Sequence, residues 1–227
     1  MTEISTFKDE VYDAYELYHI AQAGVAGTNV KVVGKKPHAD VIAATGHKLQ
    51  RTRVYVNGVR DVITEVALST NDTDITITTT LTSSDIVDVF LAATTGTLQN
   101  NTTVGKIPVT CDQMAQNYSA ESNEEDIGAC GTERTETVRY SDDGNGTLMF
   151  KRQGNVNMQN FILARKNKKY LMFIVRDSTD AANITHDILH ECRIATYARG
   201  TKAGRDRKAM ILDIFEFTFV PPVKVTT

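Results

Sequence analysis

Few residues in this chain combine the types and spacing that chemistry needs. The best-spaced set is His186-Asp187-Ile188-Leu189-His190-Glu191. On a helix, His186 and His190 would share a face, as two zinc ligands do. On a strand the imidazoles would still share a face, because side chains alternate with a period of two. The set is not His-Glu-x-x-His, however, and no glutamate occupies the catalytic slot. Solvated or interface histidines are the favoured reading. A metal-dependent hydrolase built on His186 and His190 stands as the third alternative for function.

Other catalytic patterns are missing from the sequence. Gly144-Asn145-Gly146 reads as a turn rather than the start of a helix, so it cannot form a nucleotide fingerprint. No Gly-x-Ser-x-Gly elbow occurs. Asp142 and Asp143 fall in the same stretch, where aspartate is favoured for conformational reasons. Cys111, Cys130 and Cys192 are odd in number and lack metal spacing. They read as buried or idle thiols in a reducing compartment, with a disulfide between subunits as the alternative. No catalytic residue, metal or cofactor is assigned, and the expectation is a protein that is not an enzyme.

The charge pattern offers more. The chain has 227 residues and a formal net charge of −3, which argues against wholesale electrostatic binding of nucleic acid. That charge is unevenly spread. Residues 95–145 hold 3 Lys+Arg against 9 Asp+Glu, whereas 146–227 hold 14 against 7. The acidic segment centres on Glu121, Glu124, Glu125 and Asp126, read as a loop. The basic one centres on Arg199, Lys202, Arg205, Arg207 and Lys208, read as the loop before the last strand. It lacks the interleaved aromatics of a single-strand binder. The two runs are matched in length and opposite in sign, so they are the candidate interface between subunits; the competing reading is two solvated loops.

The elements that must position these runs are mostly strands. Tyr170 to Val175 is a near-continuous apolar run, as expected of a strand covered on both faces. In Ala209 to Phe219, the residues Phe215, Phe217 and Phe219 share one face and Glu216 and Thr218 the other. Met158 to Lys168 is helix-compatible. Thr135 to Tyr140 and Thr147 to Lys151 read as two strands joined by a turn at Ser141 to Gly146. Further upstream, Val54-Tyr55-Val56-Asn57-Gly58-Val59, Val62 to Ser69, Asp74 to Thr80 and Ile86 to Leu91 form a run of short strands, hence a small antiparallel unit. Phe7, Val11, Ala14, Tyr15 and Tyr18 recur at helical spacing after a Thr6 cap, which predicts an N-terminal helix ending near Gly24. Three segments follow: 1–30, helix and connection; 31–105, small β module and linker; 106–227, a larger β domain. No apolar run is long enough to span a bilayer, and the first residues lack the features of a signal peptide. No membrane insertion is expected.

From about residue 106 to 220 the order of elements resembles the major tail tube protein of long-tailed bacteriophages. The matching elements are an acidic serine-containing stretch (Tyr118 to Ile127), a strand, a Gly/Asp turn (Asp142-Asp143-Gly144), a strand, a short helix (Met158 to Arg165), a strand (Tyr170 to Val175) and a long final hairpin (Ile184 to Phe219). The resemblance covers about half of the chain and rests on element order. It implies a mainly β fold: a sandwich or barrel with a short flanking helix, to which the N-terminal helix and small β unit are added. It also implies a structural virion protein, made in the host cytoplasm and located in the phage tail. Copies would form stacked, six-membered rings, contact other tail proteins, and enclose DNA without reading its sequence. A virion fibre or receptor-binding β module is the alternative.

Overall fold

The computed structural model describes residues 10–42, 49, 51–92, 94, 106–107, 113–128, 135–151, 156–176, 186–203 and 209–220. The chain is mainly antiparallel β. Its strands are β1 (Glu10–Ala23), β2 (Gly27–Val32), β3 (Arg53–Val56), β4 (Val59–Arg60), β5 (Ile63–Ser69), β6 (Asp72–Leu81), β7 (Ile86–Ala92), β8 (Lys106–Ile107), β9 (Gln113–Gly128), β10 (Thr135–Lys151), β11 (Tyr170–Arg176), β12 (His186–Ala203) and β13 (Ala209–Val220). Among the described residues one α-helix, α1 (Val156–Lys166), lies between β10 and β11.

Ten strands make one sheet in the order β4-β3-β7-β1-β11-β12-β13-β10-β9, with β8 pairing β1 off this path. Strands β2, β6 and β5 make a second, three-stranded sheet. The large sheet is buried on both faces around β11. Leu171 and Phe173 join one core with Phe161 and Ala164 of α1, Phe215, Phe217 and Phe219. Met172 and Ile174 join the other, with Val30, Val66 and Ile75 of the small sheet. Consecutive residues point to opposite faces of a strand, so this alternation fixes the layers: helix, large sheet, small sheet. The apolar run at 170–175 and the phenylalanine stripe of β13 behave as their sequences predict. Leu171 through Ile174 are all inaccessible, as are Phe215, Phe217 and Phe219 to within a few per cent. Glu216 and Thr218 are exposed.

Four sequence expectations change. The expected N-terminal helix is strand β1 from Glu10 onward; its proposed Thr6 cap lies outside the described residues. Tertiary context decides here. β1 sits mid-sheet between β7 and β11, and Ala14, Tyr15, Glu16 and Leu17 are all buried, so over 14–17 both faces are covered and no alternation remains to be read. The connection 24–34 contains β2, edge of the small sheet. The expected turn at Ser141–Gly146 is the interior of the 17-residue strand β10. A Cβ on Gly144 or Gly146 would collide with the rings of Phe219 or Phe217, so these glycines clear room for aromatics rather than reverse the chain. The acidic loop is strand β9, held by a ladder to β10 from Thr135↔Gly128 to Phe150↔Gln113. By contrast, Asn57 and Gly58 both take positive φ (51° and 81°), as the β3–β4 hairpin needs.

The segments 1–30, 31–105 and 106–227 share the large sheet: β7 pairs β1, and β1 pairs β11. Most of the 94–105 linker lies outside the described residues.

Candidate functional site

The two charged runs occupy different strands and different ends of the sheet. Glu121, Glu124, Glu125 and Asp126 lie on β9, opposite Asp143, Arg139, Val138 and Thr137 of β10. Arg199 and Lys202, expected in the loop before the last strand, instead lie on β12, opposite Asp213 and Met210 of β13, because the β12–β13 ladder runs on to Ala203↔Ala209. Arg205, Arg207 and Lys208 fall outside the described residues, between Ala203 and Ala209, which are themselves paired.

The register places these segments along the sheet. β10 pairs β13 only from Gly144↔Phe219 to Lys151↔Leu212. Residues Thr135–Asp143 of β10, with their β9 partners, therefore extend past the C-terminal end of β13. The hairpin end of β12 and β13 lies the other way, beyond Leu212. Arg199 is level with Asp213, which is level with Phe150; Glu121 is level with Asp143. Seven residues of β10 separate those two levels, about 24 Å at the strand rise. Among the described residues, Glu124, Glu125, Asp126 and Lys202 lie still farther apart along the sheet. Among the described residues, the acidic run and Arg199 and Lys202 thus stand at opposite ends of the register along the sheet. β9 is also the last strand of the sheet, so a 16-residue backbone edge has no further strand beside it among the described residues.

The described part of the basic end is locally braced. Arg199 Nε donates to Tyr197 Oη at 2.9 Å, and Tyr197 Oη donates to Asp213 at 2.6 Å. Arg199 is exposed and Asp213 buried, 3.7 Å apart. The hydrogen bond with Tyr197, then the nearby Asp213 charge, hold the guanidinium above its ordinary pKa.

The histidine pair meets a different fate from the one its spacing suggests. His186 is opposite Arg176 on β11. His190 is fully buried, with Nε2 3.0 Å from the Arg51 carbonyl oxygen. Beside it, Glu191 has φ +55° at a register shift of β12. Such a bulge re-aims a side chain. Here the Glu191 carboxylate accepts from Tyr55 Oη at 2.5 Å and Arg53 Nη1 at 3.3 Å. Arg53 is 2% exposed. β3 and β12 stand four places apart in the strand order, about 19 Å if the sheet were flat. Their contact shows that the sheet curls until these strands face each other. Phe90 lines the same space, edge-on to Tyr55 and His190.

Electrostatics follow from that burial. Burial alone would raise Glu191, but the His190 imidazole 3.7 Å away, the hydrogen bond from Tyr55 and the Arg53 charge hold it below the usual carboxylate range. Burial lowers His190, and Arg53 adds to this. Burial raises Tyr55, reinforced by Glu191. Sequence reasoning noticed His190 and Glu191 only as a metal motif; their partners lie 136 to 139 residues away and carried no local signal. Among the described residues no three His, Cys, Asp or Glu side chains converge as a metal site would need. Cys192 is a free, buried thiol, pushed up by that burial; Cys111 and Cys130 lie outside the described residues. No described helix is long and apolar enough to cross a membrane. The chain matches no protein-family model and no curated protein.

Proposed function

We propose that the chain is a structural virion protein, a subunit of the tail tube of a long-tailed phage. Copies assemble into rings, six to a ring, and the rings stack into a conduit for DNA. The observation that carries this reading is the placement of opposite charges at opposite ends of one sheet. A subunit that stacks on its own copies must offer complementary upper and lower surfaces. The β9–β10 arm supplies a negative end, and the β12–β13 hairpin a positive one. Contacts of this head-to-tail kind are heterologous and repeat without limit along an axis. Each exposed ion pair is weak, about 0–1 kcal/mol, but repetition around a ring sets register and rejects wrong partners. The unpaired edge of β9 supports the same reading sideways, since a neighbouring sheet can complete its ladder and close a barrel. Other tail proteins would cap the ends, and DNA would pass without sequence-specific binding.

Charge reversal with negative-stain imaging tests this. The wild-type chain should give tubes or six-fold rings. Arg205→Glu with Arg207→Glu should impair stacking, and Glu124→Lys with Glu125→Lys in the same chain should partly restore it. Normal tubes from the basic-end variant alone would remove the charged contact. Separate trimers from wild type would instead favour a fibre or receptor-binding module.

A further inference from the structure

A groove of about 430 Å³ opens between β1, the chain after β2, the exit of α1 and β12. Its wall contains Lys35, Lys168, Lys169 and Arg193, and no aspartate or glutamate. Among the described residues no carboxylate pairs with Lys35, Lys168 or Arg193. Lys169 reaches Glu16, a buried carboxylate, at 3.5 Å. Like charges gathered in one concavity repel, and a cleft focuses their field toward an incoming anion.

The cations are held in place rather than merely nearby. Arg193 lies 4.2 Å over the Tyr170 ring and Lys35 4.8 Å over the Tyr18 ring. Tyr170 is itself packed edge-on to His19 and Phe90. The turn that carries Lys168 and Lys169 is closed by bonds from Asn167 N to Leu163 O, Lys168 N to Arg165 O and Lys169 N to Ala164 O. Lys168 takes a left-handed φ of 51° there. The electronegative end of α1 accounts for basic residues in this turn, but not for Lys35 and Arg193, which arrive from other elements.

From this convergence we infer that the groove binds a phosphate ester. With Lys169 offset by Glu16, three charges remain; a single carboxylate would offset only one of them, whereas a phosphomonoester carries about −1.5 to −2 near neutral pH and a polyphosphate more. Ammonium groups suit a tetrahedral oxyanion, and a guanidinium can bridge two of its oxygens. The volume falls within the range of small-ligand pockets, roughly 300–1,000 Å³. The phosphate can come from a free nucleotide or from a nucleic-acid strand. The inference does not rest on the tail-tube reading.

The test is titration of the full chain at low salt with inorganic phosphate, ATP and a short fluorescein-labelled single-stranded DNA. A synthetic peptide of residues 118–127 supplies the acidic competitor. Binding of ATP or DNA, displaced by inorganic phosphate, is expected. Lys168→Ala and Arg193→Ala should each weaken it about ten-fold, the worth of one charge-assisted contact. Lys168→Arg should retain most of it. A strand that binds more tightly than ATP, with a log–log salt slope near −2 for about three phosphates, marks nucleic acid as the source. Equal affinity marks the free nucleotide. The inference is overturned if no phosphate probe binds, if the alanine variants bind as wild type does, or if the acidic peptide binds more tightly than every phosphate probe. That last result would make the groove a contact between copies of the chain.

Discussion

Glu191→Ala should loosen the curl of the large sheet. The substitution leaves Arg53, 2% exposed, without its carboxylate and Tyr55 Oη without its acceptor. Breaking a buried pair by removing one partner costs about 3–5 kcal/mol. Glu191 is itself 11% exposed, so the lower end, about 3 kcal/mol, is expected. A second effect can be separated from the first. Alanine keeps the Cβ that makes φ +55° unfavourable, whereas glycine does not. Glu191→Gly should therefore be less damaging than Glu191→Ala by about 1 kcal/mol. Removing both charges, Arg53→Met with Glu191→Ala, should recover much of the loss. The assay is urea unfolding followed by circular dichroism and tyrosine fluorescence, since the chain has no Trp. With a slope of about 2 kcal/mol/M, the alanine midpoint should fall by about 1.5 M. An alanine variant indistinguishable from wild type would refute the claim that this pair holds β3 against β12.

Two further outcomes follow, one from β12 and one from the β10–β13 pair. His190 has a folded pKa below its unfolded value of 6.5, so its contribution is complete above that pH and is lost as pH falls through the folded value. Glu191, also lowered from 4.5, acts in the same direction at more acid pH. Stability should thus decline as pH drops below about 6.5, and His190→Gln should flatten the first part of that decline in urea midpoints measured between neutral and mildly acid pH. Gly146→Ala should destabilise by about 1–3 kcal/mol through overpacking against Phe217; Phe217→Leu added to it should restore part of the loss, and a neutral Gly146→Ala would show that the ring is not confined.

What the sequence reveals depends on whether one signal has one cause. The stripe Phe215, Phe217, Phe219 is legible because only a half-buried strand alternates that way. Asn57-Gly58 is legible because few backbones demand two positive φ values in succession. β1 is not legible, since residues 14–17 are covered on both faces and lose their period, and Phe7, Val11, Ala14, Tyr15 and Tyr18 then imitate a helix. Gly144 and Gly146 mislead because glycine serves equally to reverse a chain and to admit a ring. The acidic run is read correctly as charged but wrongly as a loop, since β10 supplies the ladder that makes a polar edge strand possible. The Arg53, Tyr55, His190 and Glu191 cluster depends on the curl, which brings together residues with no local relation.

The central place of β1 has a kinetic consequence. Its fourteen residues leave the ribosome well before one neighbour in the sheet, β11, which begins at Tyr170. At about 5–20 residues per second, roughly 10–30 s separate the two during translation. Throughout that interval one side of β1 has no mate, and the enclosing sheet cannot close before β11 has been made. Long-range pairings of this kind fold slowly, because a large loop must be ordered before any contact rewards it. The nascent chain is therefore most exposed to misassociation while it is still attached, and a holding chaperone should raise its soluble yield more than it changes the stability of the finished protein.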